Sequence, residues 1–378
     1  MIRVVHLTTV HRLWDVRIFH KQAVSLARAG FEVTLIACAD KADVREGVRL
    51  VPLPPPGSRW ERMTLTAWRA YRAALRQRAA ICHFHDPELI LVGLLLKLHG
   101  WVVFYDVHED VAKDLADKAY IPSPVRPLLK LLVRAFEGLA SLCFDRIIAA
   151  TGAIARNFPA RKTTLIRNFP LLDELATASP VPFSSRPRWV VYAGGLAPLN
   201  GTVEMVAAMA MLPPESGIRL QLAGKFVSAE LEAEVRRHPG WALVDYHGWV
   251  SRPQMAKLFE QSRGALVVYQ PTPNILECEP NKFFEVLSAG LPLVASNLPL
   301  WESFIQEEKC GLVVDATSPR SIAQAIERLV NAPDEAEQMG TRGRIAVSQR
   351  YNWESERRKL LDAYFAHMPG PSDRIDLQ

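Results

Sequence analysis

Two glutamates eight residues apart, Glu277 and Glu285, bound a segment dense in reactive side chains, Glu277-Cys278-Glu279-Pro280-Asn281-Lys282-Phe283-Phe284-Glu285. Pro280 suits the first turn of a helix, which puts Glu285 inside that helix and Glu277 in the loop before it. Both carboxylates can then face one cleft from different depths. The start of such a helix also offers free N–H groups and partial positive charge to a phosphate. Spacing alone leaves the plainer alternative open, a loop charge and a solvated helix carboxylate. A second cluster is His83-Phe84-His85-Asp86. Alternate strand residues share a face, so the two imidazoles point the same way, as a zinc hydrolase would need. Further ligands would have to come from other strand ends, where His108 and Asp110 are the obvious ones. His108 follows the apolar run Val102 to Tyr105, and Asp106 and Asp110 beside it could fix its tautomer.

Positioning these groups requires strands that end at one edge of a sheet. The first half alternates strand and helix patterns: Arg3 to Leu7, a loop with His11, Asp15 and Arg17, a helical run near Ile18 to Ala29, then the apolar strand Phe31 to Ala37. Such β-α-β order with apolar strands fits a parallel sheet covered on both faces. It continues through Val48 to Val51, a helix near Glu61 to Arg78, Ala80 to Phe84, a helix near Pro87 to Leu98, Val102 to Tyr105, Ile147 to Ala150 and Thr164 to Asn168. The aperiodic, Pro- and Ser-rich stretch that follows reads as a linker. A second series runs from Trp189-Val190-Val191-Tyr192-Ala193 through Arg219 to Ala223, Ala265 to Tyr269, Leu293 to Ala295 and Leu312 to Val314. Two doubly wound domains in series are expected: residues 1–170, a linker 171–187, residues 188–350, and a closing segment 351–378 whose helix returns toward the first domain. Ligands of such sheets bind beyond the carboxyl ends of the strands, which predicts a site in a cleft between the two.

Composition narrows the function classes. Apolar residues make up 49% of the 378 residues and charged residues 22%, the balance of a chain with a real core. Five cysteines stand singly without a CxxC pair, so neither a zinc knuckle nor a disulfide framework is expected. The longest apolar run, Leu89 to Leu96, stops at Lys97 and is too short to span a bilayer. The opening residues read directly as a strand, which predicts a cytoplasmic protein. The net charge of +5 hides an asymmetry: residues 1–187 hold 26 basic against 17 acidic residues, leaving 19 against 23 for the rest. Much of this excess lies in 59–78, where six arginines accompany Trp60, Trp68 and Tyr71, and in 125–144, where Arg126, Lys130 and Arg134 stand among leucines. Basic residues with aromatic and aliphatic neighbours on helices suit an anionic membrane surface, though the apolar residues could equally face the core. No nucleic-acid-binding motif accompanies the charge, and nucleic acid is not an expected partner.

The segment Glu277 to Glu285, continued by Ala289-Gly290-Leu291-Pro292-Leu293-Val294-Ala295-Ser296, resembles the E-x7-E signature of family 4 retaining glycosyltransferases. His11-x3-Asp15-x-Arg17-Ile18-Phe19 and Tyr105-Asp106-Val107-His108-Glu109-Asp110 look like the bacterial surface-polysaccharide branch of that family. The resemblance implies an α/β fold of the GT-B type, two Rossmann-like doubly wound domains facing a central cleft. It implies transfer from a nucleotide-diphospho-sugar to a glycan or polyprenyl-linked acceptor, at the cytoplasmic face of the membrane. Glu285 would accept from the donor ribose, Glu277 would hold a hydroxyl of the transferred sugar, and His108 would lie over the donor near the reaction centre. Asn281 and Phe283 fall in the same donor-binding segment. His85 and Asp86 would line the site. For His11, Asp15 and Arg17, acceptor contact or domain closure is expected.

One departure matters. The family carries two cations after the first strand of its second domain, and here that stretch is Gly194-Gly195-Leu196-Ala197-Pro198-Leu199-Asn200-Gly201, with neither. A departing diphosphate needs its charge stabilised. Lys225 and Lys282 are the candidates to supply it, while Gly194 and Gly195 let backbone approach a phosphate. No two aspartates are spaced as Asp-x-Asp, so the usual metal grip on a sugar nucleotide is missing, and neither metal nor cofactor is expected. The missing cations also support a non-catalytic scaffold with a degenerate donor site as the alternative.

Overall fold

The computed structural model describes residues 1–108, 110, 125–172, 181–273 and 275–368. The chain divides into two compact units, Met1–Asn168 with Trp353–Gln378, and Phe169–Asn352. The described parts of the expected linker, 171–172 and 181–187, therefore count with the second unit. The later part is anchored there: Phe183 is buried in that core, and Arg186 Nη1 donates to Ser262 O at 3.0 Å. Residues 173–180 of that linker and 369–378 of the expected tail lie outside the described residues.

In the first unit, eight strands are ordered β3-β4-β2-β1-β5-β6-β7-β8: β1 Arg3–Leu7, β2 Glu32–Cys38, β3 Asp43–Arg45, β4 Val48–Leu53, β5 Ile81–Phe84, β6 Val102–Val107, β7 Arg146–Ala149 and β8 Thr163–Leu165. All pairs are parallel except β3 with β4. The central strand β1 sets Val5 against Thr34 on one side and Cys82 on the other. Its residues Val4 to Leu7 are buried, as a strand covered on both faces requires. Exposed β3, unforeseen in the sequence, returns antiparallel through Glu46 and Gly47, both at positive φ, the backbone a tight hairpin turn demands. The closing helix Trp353–Phe365 completes this unit: Trp353 Nε1 donates to Ser25 Oγ at 2.9 Å, and Tyr364 is fully buried.

In the second unit, six parallel strands run β11-β10-β9-β12-β13-β14: β9 Trp189–Ala193, β10 Arg219–Ala223, β11 Val244–Gly248, β12 Gly264–Val267, β13 Leu293–Ser296 and β14 Gly311–Val314. Sequence order reverses at β9, whose neighbours are β10 and β12. That is the switch point where the loops of such a sheet diverge and leave a crevice. Apolar clusters cover both faces, one around Val190, Tyr192 and Leu222, the other around Val191, Phe283 and Leu287. Among the described residues, no helix is long and apolar enough to cross a membrane.

Candidate functional site

In the second unit, a cavity of about 540 Å³ opens at the carboxyl ends of β9, β10 and β11. Gly194, Gly195, Lys225, Asn281, Lys282 and Glu285, all expected from the sequence, line it. Two close approaches explain the glycines after the strands. A Cβ on Gly194 would collide with Lys282 Nζ, and one on Gly224 would collide with the Gly194 carbonyl. Gly194 thus makes room for a cation as well as for a ligand. The helix Asn281–Ser288 begins at this cavity after Pro280, so its unsatisfied N–H groups border it.

The charge is arranged around Lys282. Its Nζ donates to Tyr192 Oη at 2.9 Å and lies 4.5 Å and 5.1 Å above the rings of Tyr192 and Tyr269. Burial lowers its pKa to about 8, against the pull of Glu285 and Cys278 the other way. Tyr192 passes the contact on, donating to Gly195 O at 2.8 Å, and Asn200 Nδ2 donates to the same oxygen at 2.7 Å. Lys225 is an exposed cation on the rim. Arg252 was not singled out in the sequence, yet it lines the cavity and donates through Nη2 to Glu285 Oε1 at 2.8 Å. Trp249, also unforeseen, lines the cavity while remaining exposed. The available signal was position: both lie just past Gly248, the end of a strand that alternating polar residues had concealed.

Phe283 corrects the sequence expectation. Its side chain is 2% exposed, packs on Phe284, Trp301 and Phe304, and does not line the cavity, so it anchors the helix. Glu277 sits half-buried in the turn before the helix and does not line the cavity. The loop that carries it is tied down where Trp301 Nε1 donates to Cys278 O at 2.8 Å.

In the first unit, the expected residues converge on buried Asp106. Arg17 grips its carboxylate with Nε at 3.0 Å and Nη2 at 2.7 Å, and donates through Nη1 to Ile166 O at 2.9 Å. Burial alone would raise the Asp106 pKa, but Arg17 and then His108 hold it well below the ordinary carboxylate value. Arg17 is 3% exposed, which corrects its assignment to acceptor contact: its charge is spent inside the unit. Asp15 caps the helical stretch Val16–Ala23, accepting from Arg17 N at 2.8 Å and Ile18 N at 2.9 Å. Asp86 is likewise buried, accepting from Thr8 Oγ1 at 3.0 Å and Val10 N at 3.2 Å, so it holds the loop after β1 and does not line a surface.

His108 Nε2 lies 3.1 Å from Asp106 Oδ2, and His85 Nδ1 lies 3.3 Å from the same oxygen. These two nitrogens also lie 3.2 Å from each other, within hydrogen-bond reach. The contacts continue inward: His85 Nε2 is 2.9 Å from His6 Nδ1, His6 Nε2 is 3.4 Å from Tyr364 Oη, and His83 Nδ1 is 2.8 Å from Tyr364 Oη. Burial drives the pKa values of His6, His83 and His85 well below normal. His83 Nε2 has no hydrogen-bond partner among the described residues. Two groups, His6-His83-His85 and His85-Asp106-His108, are compact enough for a metal ion. Apart from His83 Nε2, the ring nitrogens that face inward are in contact with one another, with Tyr364 or with Asp106, whose oxygens already face Arg17 and Gln22. His85 is buried and is therefore a support for His108, not a surface contact. Asp110, expected beside Asp106 as a partner of His108, accepts from Asn157 Nδ2 at 3.1 Å and faces Arg134 at 3.7 Å. His11 packs beside His108, ring centroids 4.8 Å apart, and these two form the half-buried edge of the cluster.

Comparison with known proteins agrees with this architecture. Residues 16–168 match the glycosyl transferase 4-like domain model, and residues 203–362 match the glycosyl transferase-like model. A GDP-mannose-dependent phosphatidylinositol monomannoside mannosyltransferase of Mycobacterium tuberculosis is 36% identical over 80 residues, covering 21% of either chain. The shared stretch is thus about a fifth of that relative's length. An MMP α-(1→4)-mannosyltransferase of Mycolicibacterium hassiacum is 21% identical across 78% of this chain and 73% of its own. Among solved structures, the sucrose-phosphate synthase of Thermosynechococcus elongatus superposes with a TM-score of 0.73 at 20% identity, covering 97% of this chain and 99% of its own. HepE of Anabaena, in complex with UDP-glucose, gives 0.74 at 13% identity, covering 97% and 100%. The two units thus match glycosyl transferase models one after the other, and the chain has the GT-B fold of two Rossmann-like domains found in glycosyltransferases.

Proposed function

We propose that the protein is a retaining, metal-independent hexosyltransferase that moves a sugar from a nucleotide-diphospho-sugar to a glycan or polyprenyl-linked glycan acceptor. Its setting is cell-surface polysaccharide assembly, as a cytoplasmic protein peripheral to the membrane. The observation that carries the reading is the cavity of the second unit, where Lys282, Lys225 and Arg252 surround a glycine-lined strand end and a helix N-terminus beside Glu285. These three cations stand in for the pair missing after β9, and they argue against a degenerate donor site. Glu285, oriented by Arg252, accepts from the ribose, and Glu277 holds a hydroxyl of the transferred sugar. In the transfer step the bond from the anomeric carbon to the diphosphate breaks. A bond to the acceptor oxygen forms on the same face, and the acceptor proton passes to the departing phosphate. Cations fixed before the reaction stabilise that leaving charge without reorganisation.

Relatives carry names that specify GDP-mannose, and a structural neighbour was solved with UDP-glucose, so the base is an open variable of the test. Donor hydrolysis in the absence of acceptor, followed by release of nucleoside diphosphate, tests the reading. Wild-type turnover lost in Glu277→Ala and Glu285→Ala supports the enzyme. Inactivity of folded wild type with every donor would favour the scaffold.

A further inference from the structure

The helix Arg126–Cys143 of the first unit is inside out. Its buried residues are Glu137, Ala140 and Ser141, while Leu128, Leu131, Leu132, Phe136, Leu139 and Leu142 are 44–68% exposed. Spacings of three and four put those six on one stripe, opposite Glu137, and no charge interrupts them. A helix facing water would carry the reverse pattern.

The stripe continues onto its neighbours. The helix Ile90–Leu98 packs beside Arg126–Cys143 and exposes Leu91, Leu95 and Leu98, and the helix Ala67–Gln77 packs beside that in turn. Trp60 and Trp68 stand exposed at the start of this third helical segment. These helices connect β4 to β5, β5 to β6 and β6 to β7, strands that follow one direction across the sheet. Right-handed crossovers therefore place all three on one face. Exposed cations border the layer: Arg72 and Arg76 on one helix with Arg78 just past its end, and on another Arg134, which reaches Asp110.

We propose that this three-helix face docks onto an anionic lipid surface. Leucines and a phenylalanine would enter the acyl boundary, the tryptophans would sit at headgroup level, and the arginines would meet anionic headgroups. The charge selects this occupant. A second copy related by two-fold symmetry would bring the same arginine border against itself, whereas anionic lipid complements it. The basic segments 59–78 and 125–144 suggested such a surface in the sequence, but the leucine stripe, its separation from the cations and the contribution of Ile90–Leu98 come from the structure. Only the identity of a membrane-borne acceptor rests on the function proposed above; the surface itself stands on these residues.

Vesicle sedimentation of the full chain tests it, using phosphatidylcholine alone and phosphatidylcholine with phosphatidylglycerol, at low and high salt, with nucleoside diphosphate binding measured on the same samples. Wild type is expected to sediment with the anionic vesicles and to be weakened by salt. Leu131→Gln with Leu139→Gln, and separately Arg72→Glu with Arg76→Glu, should each weaken binding roughly tenfold or more while nucleotide affinity and Tm stay unchanged. Failure of wild type to bind anionic vesicles while still binding nucleotide would overturn the surface and leave the donor site intact. A concentration-dependent dimer abolished by Leu131→Gln with Leu139→Gln would also overturn it, by giving the face to a second copy. Vesicle binding without nucleotide binding would support the surface and count against the donor site alone.

Discussion

Lys282 shows how one residue can combine a structural position with a titration in the working range. Its pKa of about 8 comes first from burial, so the ammonium is present below that pH and lost as pH rises through it. Diphosphate affinity is therefore expected to fall above about pH 8, a fall absent from Lys282→Ala. Loss of one charge-assisted contact is worth about 1.5–3 kcal/mol, so Lys282→Ala and Arg252→Ala should each weaken diphosphate binding roughly 10- to 150-fold in calorimetry. Nucleoside binding should change far less for Lys282→Ala, and a uniform loss would remove the lysine from the phosphate. Lys282 was legible because it stood one turn before Glu285. Arg252 was not, because the polar alternation of β11 hid the strand end that presents it. Asp106 was seen as a neighbour of His108, but its buried pairing with Arg17 needed the fold. Breaking a buried pair costs about 3–5 kcal/mol. Arg17→Leu is thus expected to lower the denaturation midpoint by a corresponding amount near neutral pH. The deficit should shrink in acid: the pair stabilises above the unfolded carboxylate pKa and is lost as pH falls through the depressed folded value.

At the scale of elements, the helix Asn281–Ser288 does two jobs that its sequence pattern blends. Phe283 and Phe284 hold it in the core while Asn281, Lys282 and Glu285 face the cavity. Phe283→Ala should accordingly cost about 3–5 kcal/mol of stability, measured by denaturant melts. Donor affinity in the folded fraction should stay near wild type; a selective loss of affinity would return Phe283 to the binding surface. Gly224→Ala is expected to disturb the crossing of the β9 and β10 ends, because its Cβ has no room beside the Gly194 carbonyl. Near-continuous apolar strands such as β9 and β12 could be read in advance because burial on both faces leaves no polar interruption. Exposed β3 and half-buried β11 escaped because edge strands mix polar and apolar residues as loops do. The acceptor-side residues misled for a related reason. Type and spacing mark a residue as reactive, yet only packing shows that Arg17, His85 and Asp86 spend their polar groups internally.

At the scale of the whole molecule, the helix Trp353–Phe365 belongs to the first unit although it follows the second in the chain. Tyr364 closes the histidine chain that ends at Asp106, so the far end of the sequence helps orient His108. Tyr364→Phe should leave the second unit's nucleotide affinity unchanged and alter the histidine nitrogen NMR signals of His6 and His83. The family resemblance anticipated two doubly wound units and the donor segment, while the proposed replacement of the absent cations rests on Lys282, Lys225 and Arg252 around the cavity. That replacement is the central claim, and calorimetric titration of UDP, GDP, dTDP and ADP into wild type and Glu285→Ala, with and without magnesium, tests it most directly. One base is predicted to bind clearly, without dependence on magnesium, and to be lost in the variant. Absence of binding by all four to folded wild type would contradict it, because Lys282, Lys225 and Arg252 would then not form a diphosphate site.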